Sequence, residues 1–191
     1  MEERIILGID PGTAVLGYGI ILERGKELSL VSMGVIKLNH LDDHGLKLQR
    51  IFQKTTALIE EYKPDCMALE SPFYGKNIQI MLKLGRAQGV AMAAALNRNI
   101  PIFEYAPRRI KQSVTGRGDA SKEQVAAMLQ SLLKFEEQPK FLDATDGLAV
   151  AVCHVFQRGV SSTSGGGAKK SFSGWDAFIK DQGNAGRIKG L

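Results

Sequence analysis

The order of apolar runs in this 191-residue chain predicts an α/β fold, a five-stranded mixed sheet flanked by helices. Three observations carry that expectation. Near the start, three β-rich runs follow one another with short links, the pattern of an antiparallel meander. Two further short strands then alternate with segments of helical periodicity, which calls for helices packed on a sheet. Apolar content of 44% beside 24% charged residues is ordinary for one well-buried globular domain.

The first run, Arg4 to Asp10, is apolar and ends in Asp-Pro-Gly, so it reads as a buried strand closed by a turn. Leu16 to Leu22 and Leu28 to Leu38 are the next strands, with Arg24-Gly25-Lys26 as the turn between them. Gly45 to Tyr62 has helical spacing of Leu46, Ile51, Leu58 and Ile59, and Pro64 closes it. Cys66 to Glu70 is a short apolar strand, Asn77 to Asn97 a long Ala-rich helix, and Ile100 to Tyr105 a fifth strand. Pro107 opens a helix towards Val114. Ser121 with Gln124 is a capping signal for a helix to Lys134, and a last helix runs from about Leu142 to Phe156. Right-handed crossovers place strands one and four side by side and parallel, with their carboxyl ends on one edge.

Several function classes fall away on composition. No apolar run approaches the roughly 18 residues of a membrane span. The opening Met1-Glu2-Glu3-Arg4 resembles neither a secretory signal nor a transit peptide, and a cytoplasmic protein is expected. Cys66 and Cys153 sit in apolar stretches and read as buried small hydrophobes, not as a disulfide or a cysteine metal site. From Ser161 a Ser/Gly run has no core-forming residues. The expected organisation is therefore a folded domain over 1–159, and over 160–191 a flexible linker and a basic tail bearing Phe172, Trp175 and Phe178.

Net charge is +5, unevenly spread: residues 76–122 hold nine bases against two acids. A basic segment in an otherwise acidic domain predicts a polyanion-binding face. Lys76, Arg108, Arg109, Lys111, Arg117 and Lys122 are its candidate phosphate contacts, groups that position a nucleic acid without reading its sequence.

Four carboxylates stand out. Asp10 and Glu70 end very apolar strands, where a desolvated charge is costly unless paired or metal-bound. Asp143 and Asp146 lie three apart at the start of the last helix and share a face. Each alone has a bland reading, a turn for Asp10 and favourable acid placement at a helix start for the pair. Together they would repel one another unless divalent cations neutralise them. Oxygen donors without His or Cys suit Mg²⁺ or Mn²⁺, and two such ions can drive phosphodiester hydrolysis. His40, His44 and His154 lack ligand spacing.

Several segments carry a resemblance. Ile6 to Thr13 with Gly17-Tyr18-Gly19, Leu69 to Asn77, Leu82 to Val90, Phe103 to Ala106, Ile110 to Gln112 and Asp143 to Ala149 together resemble RuvC-type Holliday-junction resolvases, over about residues 4–157. The resemblance implies a ribonuclease-H-like fold and catalysis by Asp10, Glu70, Asp143 and Asp146 holding two Mg²⁺, with Mn²⁺ able to substitute. It implies that Phe73 lies next to the junction centre and that Lys111 and Lys122 contact DNA. It further implies a homodimer that nicks two strands of a four-way junction symmetrically, leaving 5′-phosphate and 3′-hydroxyl ends. The implied partners are junction-binding and branch-migration motor proteins of the RuvA and RuvB type, with no membrane. Two features depart from the family pattern: Ile80 replaces a small polar residue, and the tail after Gly159 has no counterpart in shorter members.

The helix over 77–97 is apolar or small almost all round, so it must be buried deeply. A dimer interface and a deep monomer core both meet that need. The dimer is the expectation, with Ala91 near the interface. Rival readings are an actin-like ATPase, which needs a second phosphate loop and a second such domain; a non-catalytic junction-binding module; and a related nuclease acting on RNA.

Overall fold

The computed structural model describes residues 3–72, 77–135 and 142–161. Phe73 and Lys76, and the expected tail beyond Ser161, lie outside these residues.

Five strands form one sheet in the order β3-β2-β1-β4-β5. β1 (Glu3–Asp10), β2 (Val15–Arg24) and β3 (Glu27–Lys37) make the expected meander. β4 (Cys66–Glu70) lies parallel to β1, and β5 (Ile102–Tyr105) lies parallel to β4. The fold class is the expected mixed α/β sheet. β5 begins two residues later than the apolar run because the Ile100 N–H turns back to the Ala95 carbonyl, and Pro101 has no N–H to give.

Five helices connect and cover the sheet. In α1 (His44–Tyr62), Asp43 caps the N-terminus by accepting from the Leu46 N–H. Asn77 does the same for α2 (Ile78–Leu96) through the Ile80 N–H. α3 (Pro107–Thr115) opens on its proline and ends on Gly116 at φ 76°, a left-handed position that suits glycine. α4 (Lys122–Leu133) carries the expected reciprocal cap between Ser121 and Gln124. α5 (Leu142–Ser161) runs past the expected end at Phe156.

Period-two alternation sends the side chains of β1 and β4 to opposite faces. Leu7, Ile9, Met67 and Leu69 pack with α1 and α2, around Ile51, Ile59, Ala87, Ala91 and Ala95. Ile6, Cys66 and Ala68 pack on the other face with Ile110, Val125, Leu129 and the run Leu148 to Cys153. Ala91 is fully buried in the first of these clusters. The expectation that it stands near an outer interface is thereby corrected, because its face of α2 turns towards the sheet. The outward face of α2 instead exposes Ile78, Leu82 and Leu96, and Ile80 is exposed in the helix's first turn.

α5 approaches the sheet very closely. A methyl group built on Gly8 would sit 2.2 Å from the Gly147 carbonyl oxygen, and one on Gly17 would sit 1.9 Å from that of Asp143. A side chain at either place is sterically excluded, so the glycines set how near the helix start comes to the strand ends.

Candidate active site

The alternation that sorts the core also aims the acids. Asp10 and Glu70 each lie two residues beyond a position packed towards α5, Gly8 and Ala68, and so project from the sheet edge on that same face. Asp143 and Asp146 arrive on the first turn of α5, lowered onto Gly17 by the close approach. A pocket of about 130 Å³ gathers Asp10, Glu70 and Asp146 with Lys111 and Lys122, floored by Ile110, Val125 and Ala149. Asp143 stands at its rim with its side chain 44% exposed, against 16% for Asp146.

The electrostatics are those of crowded acids. Burial, then the charges of Glu70 and Asp146, push the Asp10 carboxyl up to about 8. Burial and Asp146 raise Glu70 to about 7, with Lys122 and Lys111 opposing them. Lys122 answers the crowding directly: its ammonium donates to Asp146 Oδ2 at 2.5 Å and to Asp143 Oδ1 at 3.2 Å. Those bonds hold Lys122 firmly protonated despite partial burial.

Among the described residues, no three His, Cys, Asp or Glu side chains are gathered tightly enough to hold a metal ion as they stand. The donor chemistry nonetheless fits a hard divalent cation. Carboxylate oxygens supply the whole acidic set, and two members hold protons near neutral pH that a cation would displace.

The other sequence-selected residues are spread around this pocket. Lys111 lines it. Lys122 is half-exposed and bonds to the acids. Arg117 is exposed and paired with Asp119, its Nε and Nη2 each 3.2 Å from a carboxylate oxygen. Arg108 packs its side chain over Gly118 in the α3–α4 loop. Arg109 donates to Gln157, tying α3 to α5.

Sequence reasoning gave no role to Gln88, Tyr105 or His154. Gln88 lines a second cavity of about 180 Å³ on the α2 side of Asp10 and Glu70, with Ser71, Pro72 and Leu84. It is 5% exposed, and its amide donates to Glu104. His154 is buried, and its Nδ1 shares a 2.8 Å hydrogen bond with the Tyr105 hydroxyl. The available signal was weak: one histidine and one glutamine on otherwise small or apolar helix faces.

Known proteins resemble this chain along most of its length. The family described as "Crossover junction endodeoxyribonuclease RuvC" matches residues 6–154. A relative of that name in Cytophaga hutchinsonii is 59% identical over 187 residues, covering 98% of this chain and 89% of the relative. One in Porphyromonas gingivalis is 57% identical over 181 residues, covering 93% and 94%. The solved structure of T. thermophilus RuvC in complex with a Holliday junction substrate matches with a TM-score of 0.77 at 29% identity, covering 83% of this chain and 97% of that one.

Proposed function

The chain belongs to the RuvC family of crossover junction endodeoxyribonucleases, and from that premise we propose that it resolves four-way DNA junctions by two symmetric, Mg²⁺-dependent phosphodiester hydrolyses. The products are 5′-phosphate and 3′-hydroxyl ends. The observation that carries the proposal is the single pocket shared by Asp10, Glu70, Asp146, Lys111 and Lys122.

Asp10, Glu70, Asp143 and Asp146 are the residues that would hold Mg²⁺, which when bound supplies a nucleophilic water and neutralises charge on the phosphate. The protein's own groups do the rest. Asp10 and Glu70 hold protons near neutral pH that they would have to give up to serve as ligands, which would tie function to pH. Lys122 is held beside the pocket by Asp143 and Asp146, and its ammonium would be available to a phosphate oxygen if those carboxylates held a cation. Lys111 holds a second positive charge on the same pocket wall. Phe73, three residues beyond Glu70, is the aromatic assigned to the junction centre, and Lys76, Arg108 and Arg117 extend the phosphate-binding face.

Two symmetric cuts need two sites in fixed relation, which a two-fold dimer provides. The exposed Ile78, Ile80, Leu82 and Leu96 support α2 as its interface, since four large apolar residues on one helix are a poor solvated surface. Leu82→Glu is expected to shift sedimentation from dimer to monomer. It should convert linear plasmid product into nicked circles wherever the dimer dissociates. Residues 160–191 are read as a linker and basic tail for DNA or partner contact, and RuvA- and RuvB-type proteins as partners in the cytoplasm. No helix of the described residues is long and apolar enough to cross a membrane.

The deciding experiment compares cutting of a four-way junction and a linear duplex with Mg²⁺, with and without ATP. ATP-independent cutting confined to the junction is the expected result. Equal cutting of both substrates, or of RNA alone, would defeat the proposal.

A further inference from the structure

β5 is a four-residue strand at the edge of the sheet, paired among the described residues with β4 alone, and it lies beside Glu70. Glu70 pairs with Tyr105 in the register, and the next residue, Ser71, donates its N–H to the Tyr105 carbonyl at 2.9 Å. The end of β4 therefore takes its position from Tyr105. So short an edge strand would be free to slide, but it is tied on both faces. On the α2 side, Gln88 donates to Glu104. On the α5 side, the Tyr105 hydroxyl meets His154 Nδ1 at 2.8 Å, and the Phe103 ring lies against the imidazole with centroids 4.4 Å apart.

His154 stands on the helix that delivers Asp146, about 12 Å further along at 1.5 Å per residue. The Tyr105–His154 bond thus joins the strand that places Glu70 to the helix that places Asp146. Other polar ties of α5, Arg109 to Gln157 and Arg158 to Glu23, run to α3 and to β2, so the relation of α5 to β4 and β5 otherwise rests on apolar packing, which tolerates small slides. We infer that this hydrogen bond is a strut fixing the separation of the Glu70 and Asp146 carboxylates, and that Tyr105 and His154 are positioning residues for the reaction. The imidazole is fully buried and turned away from solvent, so it serves geometry and not proton transfer. Outer partners of this kind govern how well a carboxylate set grips its cation.

The inference rests on the reading of these carboxylates as the metal-binding site, and the test separates the two. Mn²⁺ binding to the full chain without DNA is measured by calorimetry, alongside metal-free junction binding, for the wild type, Tyr105→Phe, His154→Gln and Asp146→Asn. Tyr105→Phe removes a single oxygen and should weaken Mn²⁺ binding about tenfold, with junction affinity unchanged. His154→Gln keeps a polar group facing the hydroxyl and should retain affinity within about threefold of the wild type, short of the roughly 10–100-fold loss that follows removal of an outer partner. Wild-type Mn²⁺ affinity in Tyr105→Phe overturns the strut, as does a parallel loss of junction binding, which marks general unfolding. Unchanged Mn²⁺ affinity in Asp146→Asn overturns the site reading itself.

Discussion

The two faces of the sheet are built on opposite principles. On the α1–α2 face, β1 and β4 offer Leu7, Ile9, Met67 and Leu69, all fully buried, and the helices answer with Ile51, Ile59 and alanines. On the α5 face the same strands offer Gly8 and Ala68, β2 adds Gly17 and Gly19, and α5 answers with Gly147 and Ala151. Bulk on the first face removes apolar area from water and supplies stability. The second face has its own apolar core around Ile6, Leu129 and Leu148, but where α5 begins the small residues let helix backbone rest on strand backbone, so Asp143 and Asp146 reach the strand ends that carry Asp10 and Glu70. Both faces hold the domain together; the second also sets a geometry.

Four expected outcomes break or sharpen this contrast. The largest concerns chemistry on the glycine face. Asp146→Asn should lower Mg²⁺-dependent junction cutting by about 10⁴-fold, the scale seen when one essential member of a catalytic set is lost. Junction binding should persist, which a gel-shift assay would show, and undiminished cutting would remove Asp146 from the site.

Neighbouring residues of β1 test the packing directly. Gly8→Ala places a methyl where the Gly147 carbonyl stands and should cost about 1–3 kcal/mol as overpacking. Ile9→Val, on the opposite face, leaves a small void and should cost about 1 kcal/mol. Denaturant midpoints decide between them. Only Gly8→Ala should also depress cutting at temperatures where both variants are folded, because only it lifts α5.

Protonation separates the faces next. Asp10 and Glu70 keep protons in the folded state up to about 8 and about 7, above their ordinary 3.8 and 4.5. The folded state then binds more protons than the unfolded chain, so their contribution is fully present below those ordinary values and is lost as pH rises through 7–8. Burial lowers His154 from 6.5 to about 4, so its contribution is present above 6.5 and is lost as pH falls through 4. Metal-free protein should therefore lose thermal stability from pH 6 to 9. Saturating Mg²⁺ should add a stabilisation that grows over the same interval. A metal increment independent of pH would contradict the proton exchange. The smallest effect is expected from truncation after Gly159. The domain should unfold at nearly the same midpoint, with any loss confined to salt-sensitive DNA binding or partner association.

Much of this contrast was legible in the chain. Apolar and β-rich runs bounded by turn residues located all five strands, and the Ser121–Gln124 cap marked the start of α4 because capping is a local event. Asp10 and Glu70 stood out because a charge after so apolar a run makes little sense for stability, and Asp143 and Asp146 because they share one face at a helix start. What could not be read was non-local. The charge run 76–122 treats Arg109, Arg117 and Lys122 alike. In the fold the first binds Gln157, the second pairs with Asp119, and the third turns onto Asp143 and Asp146. Ala91 illustrates the same limit, because a helix that is small on every side does not announce which side meets the sheet. His154 was set aside for want of a ligand neighbour, and its partner Tyr105 lies on another element altogether.

The bed of glycines under α5 also orders events during synthesis. Asp10 leaves the ribosome early, in a strand that pairs first with its immediate neighbour β2, whereas Asp143 and Asp146 emerge only after nearly all of the sheet. Strands that wait for a distant helix close slowly, since long-range contacts come after the entropy of loop closure has been met. A partial chain ending before α5 lacks Asp143 and Asp146, so the acidic pocket can close only once the last helix begins to be made.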